Sequence, residues 1–120
     1  MVRAEIPDSI RELLPLTPAV FYILFALAEG ERHGYAIMKE VENISGGQFA
    51  MGPGTLYTTI QRLLELGLIE ETSTAPDSGR RRRCYRLSRS GRHVFEAELN
   101  RMESLVRSAQ RRKLVPRVAP

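Results

Sequence analysis

Tryptophan is absent from this 120-residue sequence, and cysteine occurs once, at position 84. A single cysteine excludes an internal disulfide, as expected for a protein from a reducing compartment. The Cys84 thiol is either a redox sensor or, in the plainer interpretation, a small, semi-buried side chain. The chain is therefore expected to fold without covalent cross-links.

Long hydrophobic runs are also missing. The longest, residues 19–28, falls well short of the ~20 apolar residues that a membrane span needs. Acidic Glu5, Asp8 and Glu12 precede this run and a small-residue cleavage pattern is lacking, which argues against a secretory signal. We therefore expect a cytoplasmic protein that does not enter the membrane.

Recognisable catalytic and metal-binding motifs are lacking as well. The sequence has no glycine-rich phosphate loop, and its serines have no histidine and carboxylate arranged nearby in an evident way. His33, His93 and Cys84 do not show metal-ligand spacing on one element. We predict a protein that is not an enzyme and uses no metal or cofactor, in which His33 shapes the turn into a helix.

The composition is that of one globular domain, with 42% hydrophobic and 27% charged residues. A domain of this size leaves roughly a third of the surface of the unfolded chain exposed, so a second subunit would help to cover it. The net charge of +4 gives modest support to an anionic partner.

Three helices are expected in the first half of the chain. Thr17 before Pro18 predicts a helix that runs to about residue 29 and is apolar on nearly every side, so that one face packs on its own domain and another on a second subunit. A second helix is predicted from about Gly34 to the glycines at 46 and 47, and a third from Pro53 to Gly67, which is expected in the left-handed cap position.

Two strands and a long helix should follow. Residues 68–73 and 83–87 are predicted as strands around residues 74–82, whose proline, aspartate, serine and glycine are typical of an exposed hairpin longer than a two-residue turn. Ser88 then caps a predicted helix over residues 89–112. Its apolar residues alternate four and three apart and form a heptad seam, which needs another surface to cover it: Phe95, Leu99, Met102, Val106 and Ala109.

This order predicts a mainly α fold with a small β-hairpin, namely a winged helix-turn-helix followed by a C-terminal dimerisation helix. We divide the chain into an N-terminal extension (1–15), the winged helix-turn-helix (16–88), the dimerisation helix (89–113) and a flexible tail (114–120). In a winged helix-turn-helix the third helix lies in the DNA major groove and the hairpin touches the adjacent backbone.

The third helix divides into two faces at 100° per residue. Its leucines and isoleucine cluster on one side, and the other side carries side chains able to read base edges: Thr55, Thr58, Gln61, Arg62 and Glu65. The plainer interpretation is that these side chains only solvate the outer face of a core helix.

Arginines near the hairpin favour the DNA-binding interpretation. No acidic residue occurs between Asp77 and Glu96, and this stretch holds seven arginines: Arg80, Arg81, Arg82, Arg83, Arg86, Arg89 and Arg92. A charge run is usually a solvated face, but here it lies between strands, at the tip of the wing and in the first turn of the next helix, where it would align with a phosphate backbone. The alternative function is a protein-interaction module that keeps this fold without binding specific DNA.

Five segments resemble the PadR family of bacterial transcriptional regulators. They are LTPAVFYILFAL from Leu16, ERHGYAI from Glu31, GPGTLYTTIQRL from Gly52, GLIE from Gly67 and RRCYRLSRSG from Arg82. They occur in the family's order and cover about residues 16–112, and the single C-terminal helix resembles the compact subgroup.

The resemblance implies a homodimeric repressor that occludes a promoter on double-stranded DNA. It places Tyr35, the segment from Thr55 to Arg62 that includes Tyr57 and Thr59, and the arginine-rich wing at or near the DNA. It also implies dimerisation through the last helix against the partner's first helix, for which we predict these contacts: Phe21, Phe25, Phe95, Leu99, Met102 and Val106.

Release by a hydrophobic small-molecule effector is a further implication of the resemblance. Some compact relatives stack flat ligands between tryptophans at the dimer interface, and this chain has none. Two interpretations of its apolar residues stay open, a ligand pocket or plain core: Phe21, Tyr22, Phe25, Phe95 and Met102.

Overall fold

The first helix, α1, spans Pro18–Ala28 and begins where the sequence predicts. The Thr17 hydroxyl oxygen accepts a hydrogen bond from the Val20 backbone N–H at 3.3 Å, which satisfies one of the free amides of the first turn. The structure is a computed structural model that describes residues 11–72, 75–77 and 80–116, with the backbone alone at 75–77 and 80–82. The rest of the predicted N-terminal extension and tail lies outside the described residues.

The second helix, α2, spans Gly34–Ile44, and His33 caps it. The His33 Nδ1 atom accepts a hydrogen bond from the Ala36 backbone N–H at 3.2 Å, which confirms that this histidine shapes the turn into the helix. A short strand, β1, spans Arg32–His33 directly before α2, where the sequence predicted only a connection. Two residues are too few to show the alternation that identifies a strand.

The third helix, α3, spans Pro53–Glu65, close to its predicted bounds. Gly67 has a φ of +73°, which confirms the left-handed cap. The Gly67 and Leu68 backbone N–H groups donate to the carbonyls of Leu64 and Leu63, both at 3.0 Å. This pair of bonds ends the helix and turns the chain into the sheet.

The strands form one three-stranded antiparallel sheet and one smaller ladder. The sheet has the order β1–β5–β2, where β2 spans Ile69–Glu71 and β5 spans Cys84–Leu87. Within the hairpin predicted at 74–82, β3 (Ala75–Asp77) and β4 (Arg80–Arg82) form an antiparallel pair. The predicted hairpin is confirmed, but its two short strands were not predicted, because proline and aspartate have low strand propensity.

The last helix, α4, spans Arg89–Arg111 and begins against the turn that follows α3. The Ser88 hydroxyl accepts a hydrogen bond from the Gly91 N–H at 3.0 Å and donates one to the Gly67 carbonyl at 2.6 Å. A Cβ atom at Gly91 would lie 1.9 Å from the Leu68 carbonyl oxygen. Only glycine therefore permits this close approach of α4 to the chain below it.

The core lies between α1 and the other helices, with the sheet at its edge. Its most deeply buried apolar side chains are contributed by all four helices and by β2: Ile23, Leu24, Leu27, Ile37, Val41, Leu56, Leu63, Ile69 and Val94. The predicted mainly helical winged-helix architecture is confirmed. Within the described part of the chain, no helix has the length and hydropathy needed to cross a membrane.

Candidate nucleic-acid interface

The two faces of α3 separate as the sequence predicts. Leu56, Ile60 and Leu63 are buried in the core. All five residues predicted to point away are exposed: Thr55, Thr58, Gln61, Arg62 and Glu65. The exposed face therefore carries hydroxyl, amide, guanidinium and carboxylate groups that the core does not use.

Two of the polar groups on α3 already have partners within the helix. The half-buried Thr59 donates its hydroxyl hydrogen to the Thr55 carbonyl at 2.7 Å, so this hydroxyl is turned toward its own backbone. The Gln61 amide donates to the Glu65 carboxylate at 3.3 Å. Thr55, Thr58 and Arg62 have the side chains best placed to meet a ligand in front of this face.

The start of α3 is open to its surroundings. The cap residue Gly52 has no side-chain bond to offer the first turn, and Pro53 lacks an N–H. No atom lies within 4 Å of where a Cβ would stand at Gly52 or Gly54, and neither residue has a positive φ. The chain's own backbone and packing do not require these two glycines, so the space that they leave faces outward.

Two tyrosines stand beside this opening. Tyr35 at the start of α2 and Tyr57 on α3 are 54% and 52% exposed. A Cβ at Gly34 would lie 2.6 Å from the Tyr57 hydroxyl oxygen, so Tyr57 lies directly over the start of α2. The Lys39 ammonium lies 5.6 Å from the centroid of the Tyr35 ring, at a distance typical of a cation–π contact.

Lys39 was not among the residues predicted from the sequence. Its position four residues after Tyr35 on a predicted helix could have indicated the contact, because this spacing brings two side chains together. The described structure thus has an exposed strip of two phenols and an ammonium group, contributed by α2 and α3.

The base of the wing carries ion pairs that cross from β5 to β2. Arg83 lies 3.5 Å from Glu71, and Arg86 lies 3.7 Å from Glu70. All four residues are exposed. Glu70 and Glu71 lie outside the arginine run in the sequence, and strand pairing brings them beside it in the fold. The side chains of Arg80, Arg81 and Arg82 lie outside the described part of the structure, although their backbone forms β4.

Two buried groups near the sheet, Tyr85 and Cys84, do not belong to the exposed surface. Burial raises the pKa of the Tyr85 phenol, and the nearby Glu71 charge raises it further, so Tyr85 stays neutral in ordinary solution. Cys84 is buried. Neither side chain is placed to meet a large ligand at the surface.

The residues predicted to form a dimer interface differ in exposure. Phe95 is buried in its own chain, with ring centroids 5.8 Å from Phe21 and 5.3 Å from Phe25. Farther along α4, Leu99 is 38% exposed and Val106 is 49% exposed, while Met102 is half-buried. Sequence reasoning missed three further exposed apolar residues in this region: Leu105, Leu114 and Val115.

Comparison with known proteins identifies the family. Residues 23–97 match the family described as "Transcriptional regulator PadR-like family". The chain belongs to the PadR-like family. This family consists of transcriptional regulators rather than enzymes, and the match extends from α1 through the part of α4 that packs on the core.

Named relatives agree with this assignment. The chain is 35% identical over 86 residues to the transcriptional regulator Rv3488 of Mycobacterium tuberculosis, covering 72% of this chain and 77% of the relative. It is 37% identical over 87 residues to an uncharacterized 37.1 kDa protein in transposon TN4556 of Streptomyces fradiae, covering 72% of this chain but only 24% of that protein.

A solved relative shows the same fold. The crystal structure of Bacillus subtilis PadR in complex with operator DNA aligns with a TM-score of 0.63 at 24% identity. The alignment covers 71% of this chain and 47% of that chain. The PadR-type winged helix of this chain is thus shared with a regulator whose structure contains its operator.

Proposed function

We propose that this PadR-like regulator binds specific double-stranded DNA as a homodimer and represses transcription by occluding a promoter. The observation that carries the proposal is the start of α3. Gly52 and Gly54 leave space that the chain itself does not use, beside a helix face whose polar groups are exposed. A duplex that receives α3 in its major groove would fill that space.

The groups on the exposed face suit base recognition. A guanidinium such as that of Arg62 pairs with two acceptors of guanine, and a threonine hydroxyl bonds to several bases. Thr55, near the free amides of the helix start, suits a phosphate instead. The strip of Tyr35, Lys39 and Tyr57 has donors for the same backbone.

The wing supplies the sequence-independent part of the binding. β3 and β4 form a separate two-stranded ladder, and the returning strand β4 consists of Arg80, Arg81 and Arg82. If the wing and α2 make about four phosphate contacts per subunit, log affinity should fall with log salt with a slope of about −7 for a dimer.

Apolar residues on the second half of α4 support a dimer. The exposed Leu99 and Val106 and the half-buried Met102 repeat at spacings of three and four, as in a helix–helix seam. A two-fold dimer would hold its two α3 helices for half-sites about 34 Å apart, or a multiple of that distance. As the DNA of a bacterial cell is cytoplasmic, we place the activity there.

Support from relatives is of two kinds. The Mycobacterium tuberculosis relative is named a transcriptional regulator, and Bacillus subtilis PadR was solved with operator DNA. Both names fit a repressor of the PadR type.

A hydrophobic effector stays a prediction. The rings of Phe21, Phe25 and Phe95 contact one another, so a flat ligand would have to separate them or bind between protomers. Titration of the DNA complex with flat aromatic compounds tests this point, and displacement of the DNA is the expected result.

The deciding experiment selects binding sites from a random duplex pool near physiological salt. We expect a two-fold motif that is bound at least ~10³-fold more tightly than scrambled DNA. Weak binding that is steeply salt-dependent and indifferent to sequence would contradict the proposal and favour a protein-interaction module.

Variants then separate base contacts from phosphate contacts. Arg62→Ala should cost about 1–3 kcal/mol on the selected site and relax its sequence preference. Arg81→Ala should weaken binding to selected and scrambled DNA alike and reduce the salt slope by about 1. Arg111→Ala, at the exposed end of α4, is the matched control and should change neither affinity.

A further inference from the structure

Three residues on the first half of α4 are spaced three apart and follow the length of α1. Arg92 donates a hydrogen bond to the Ala28 carbonyl at the end of α1, at 3.3 Å. Glu98 accepts one from the Leu16 backbone N–H just before α1, at 2.7 Å. The Phe95 ring lies between them, against the aromatic rings of α1. Helix α4 thus contacts α1 near both ends of α1 and in the middle of α1.

Glu98 is an unusual residue for this position. Its side chain is fully buried, and it is the one buried charged residue in the part of the chain that the structure describes. Burial raises the pKa of the Glu98 carboxyl, but hydrogen bonds from Arg101 and from the Leu16 N–H lower it by more. The carboxylate is therefore ionised at neutral pH and fully engaged by these two donors.

An apolar side chain would fill the same space at no cost in desolvation. Replacement of a buried charge and its partner by apolar residues is often neutral or stabilising, so stability alone does not require a carboxylate at this position. A hydrogen bond to one backbone N–H requires a narrow range of distance and angle, so it specifies the position of α4 along α1 more narrowly than apolar contacts alone.

The position of α4 on α1 bears on DNA binding because α1 also packs against α3. From Phe95 to Arg111 the helix extends about 24 Å, at about 1.5 Å per residue. A change of about 5° in the angle between α4 and α1 would move the far end of α4 by about 2 Å. Val106, one of the exposed apolar residues that we assign to the dimer, lies toward that end.

We propose that Glu98 and Arg92 are positioning residues that fix the angle between α4 and α1, and thereby the separation of the two α3 helices in the dimer. The inference rests on the proposed function, since it assigns to these residues a part in choosing half-site spacing. Neither side chain needs to touch DNA for this role.

The test measures affinity for operators whose two half-sites are moved apart or together by one base pair at a time. Each added base pair shifts a half-site by about 3.4 Å and rotates it about the duplex. The affinity of a rigid dimer for the operator should therefore fall about tenfold per added or removed base pair. Glu98→Leu, which removes the acceptor for Leu16, should reduce this loss to about twofold to threefold while affinity for a single half-site is unchanged.

Two variants separate positioning from simple stability. Glu98→Gln keeps an oxygen that accepts from the Leu16 N–H, so it should retain most of the wild-type spacing preference. Glu96→Gln changes an exposed carboxylate on the same helix and is the matched control. Equal effects of Glu98→Leu and Glu98→Gln on the spacing preference would overturn the role of the Leu16 bond.

Hydrogen exchange of the Leu16 amide gives a readout that does not depend on DNA. Glu98→Leu should accelerate this exchange, and Glu98→Gln should leave it slow. Faster exchange together with an unchanged spacing preference would overturn the inference and leave the proposed function intact. A wild-type protein without any preferred spacing would instead refute the two-fold dimer, and the inference would fall with it.

If Glu98→Leu does not fold, Arg92→Met decides the question. Arg92 is exposed, so its replacement should leave the fold intact while removing the bond to Ala28. We expect a weaker spacing preference than in wild type, and no such change for Arg89→Met, which alters a neighbouring exposed arginine. An Arg92→Met protein with the wild-type spacing preference would overturn the inference.

Discussion

The two halves of α4 share one helix but have different surroundings. Residues 89–98 include all the buried residues of this helix: Gly91, Val94, Phe95, Ala97 and Glu98. Residues 99–111 include none, although their apolar spacing continues. The family match at residues 23–97 ends almost where the burial ends. A hydrophobic seam alone therefore does not reveal whether its partner lies inside or outside the chain.

The largest effect is expected from the second half. Leu99→Glu together with Val106→Glu should yield monomers, because each places a carboxylate in the seam that we assign to the dimer. Affinity for a two-fold operator should fall by about 10²–10⁴, since two linked contacts become one. Sedimentation measures the oligomeric state, and titration on the operator measures the affinity.

The same double variant should keep its fold, because both side chains are exposed in the isolated chain. Its circular dichroism spectrum should match that of the wild type. A double variant that still sediments as a dimer would show that the seam is assigned to the wrong residues.

Phe95→Ala, in the first half of α4, should lower the free energy of unfolding. Removing a buried aromatic ring costs about 3–5 kcal/mol of unfolding free energy. Urea denaturation monitored at several protein concentrations measures this loss. If the loss depends on protein concentration, Phe95 also belongs to the dimer interface, as the sequence predicts; if not, its main partners are Phe21 and Phe25 of its own chain.

Gly91→Ala should destabilise the first half by a smaller amount. The new methyl group would meet a backbone oxygen rather than a flexible side chain, so α4 must move away from Leu68. Overpacking of this kind costs about 1–3 kcal/mol. Ser90→Ala, at an exposed neighbour on the same helix, is the control and should leave the denaturation midpoint close to that of the wild type.

The smallest effect is expected from acid. The pKa of Glu98 is lowered below its usual value of 4.5, so its ionised form stabilises the folded state above that pH. This contribution is lost as pH falls through the lowered pKa. Urea midpoints from pH 7 to pH 3 should fall less steeply for Glu98→Gln than for wild type, whereas Glu96→Gln should follow the wild type.

Much of this fold could be predicted because its signals are local. Caps at Thr17 and Ser88 and the glycine at 67 each act within a few residues of the helix end that they define. The face of α3 follows from its periodicity alone. These features need no knowledge of what lies opposite.

The missed features depend on distant pairing. Strand β1 exists because Arg32 and His33 pair with Tyr85 and Cys84, and a two-residue segment carries no sign of that. From the sequence alone, Glu98 is an ordinary polar position on an amphipathic helix. Only the fold shows that the Leu16 N–H lies beside it. Such contacts join segments far apart in the chain, so neither periodicity nor composition could reveal them.

The ion pairs at the base of the wing have a kinetic consequence for a protein that searches a chromosome. In the proposed DNA complex, arginines paired with Glu70 and Glu71 would release fewer counterions than unpaired ones, which would shorten each visit to a wrong sequence. A genome offers roughly 10⁶–10⁹ competing sites, so time lost at each of them limits how soon the right one is found. Two carboxylates on β2 would thereby speed the search without meeting a base.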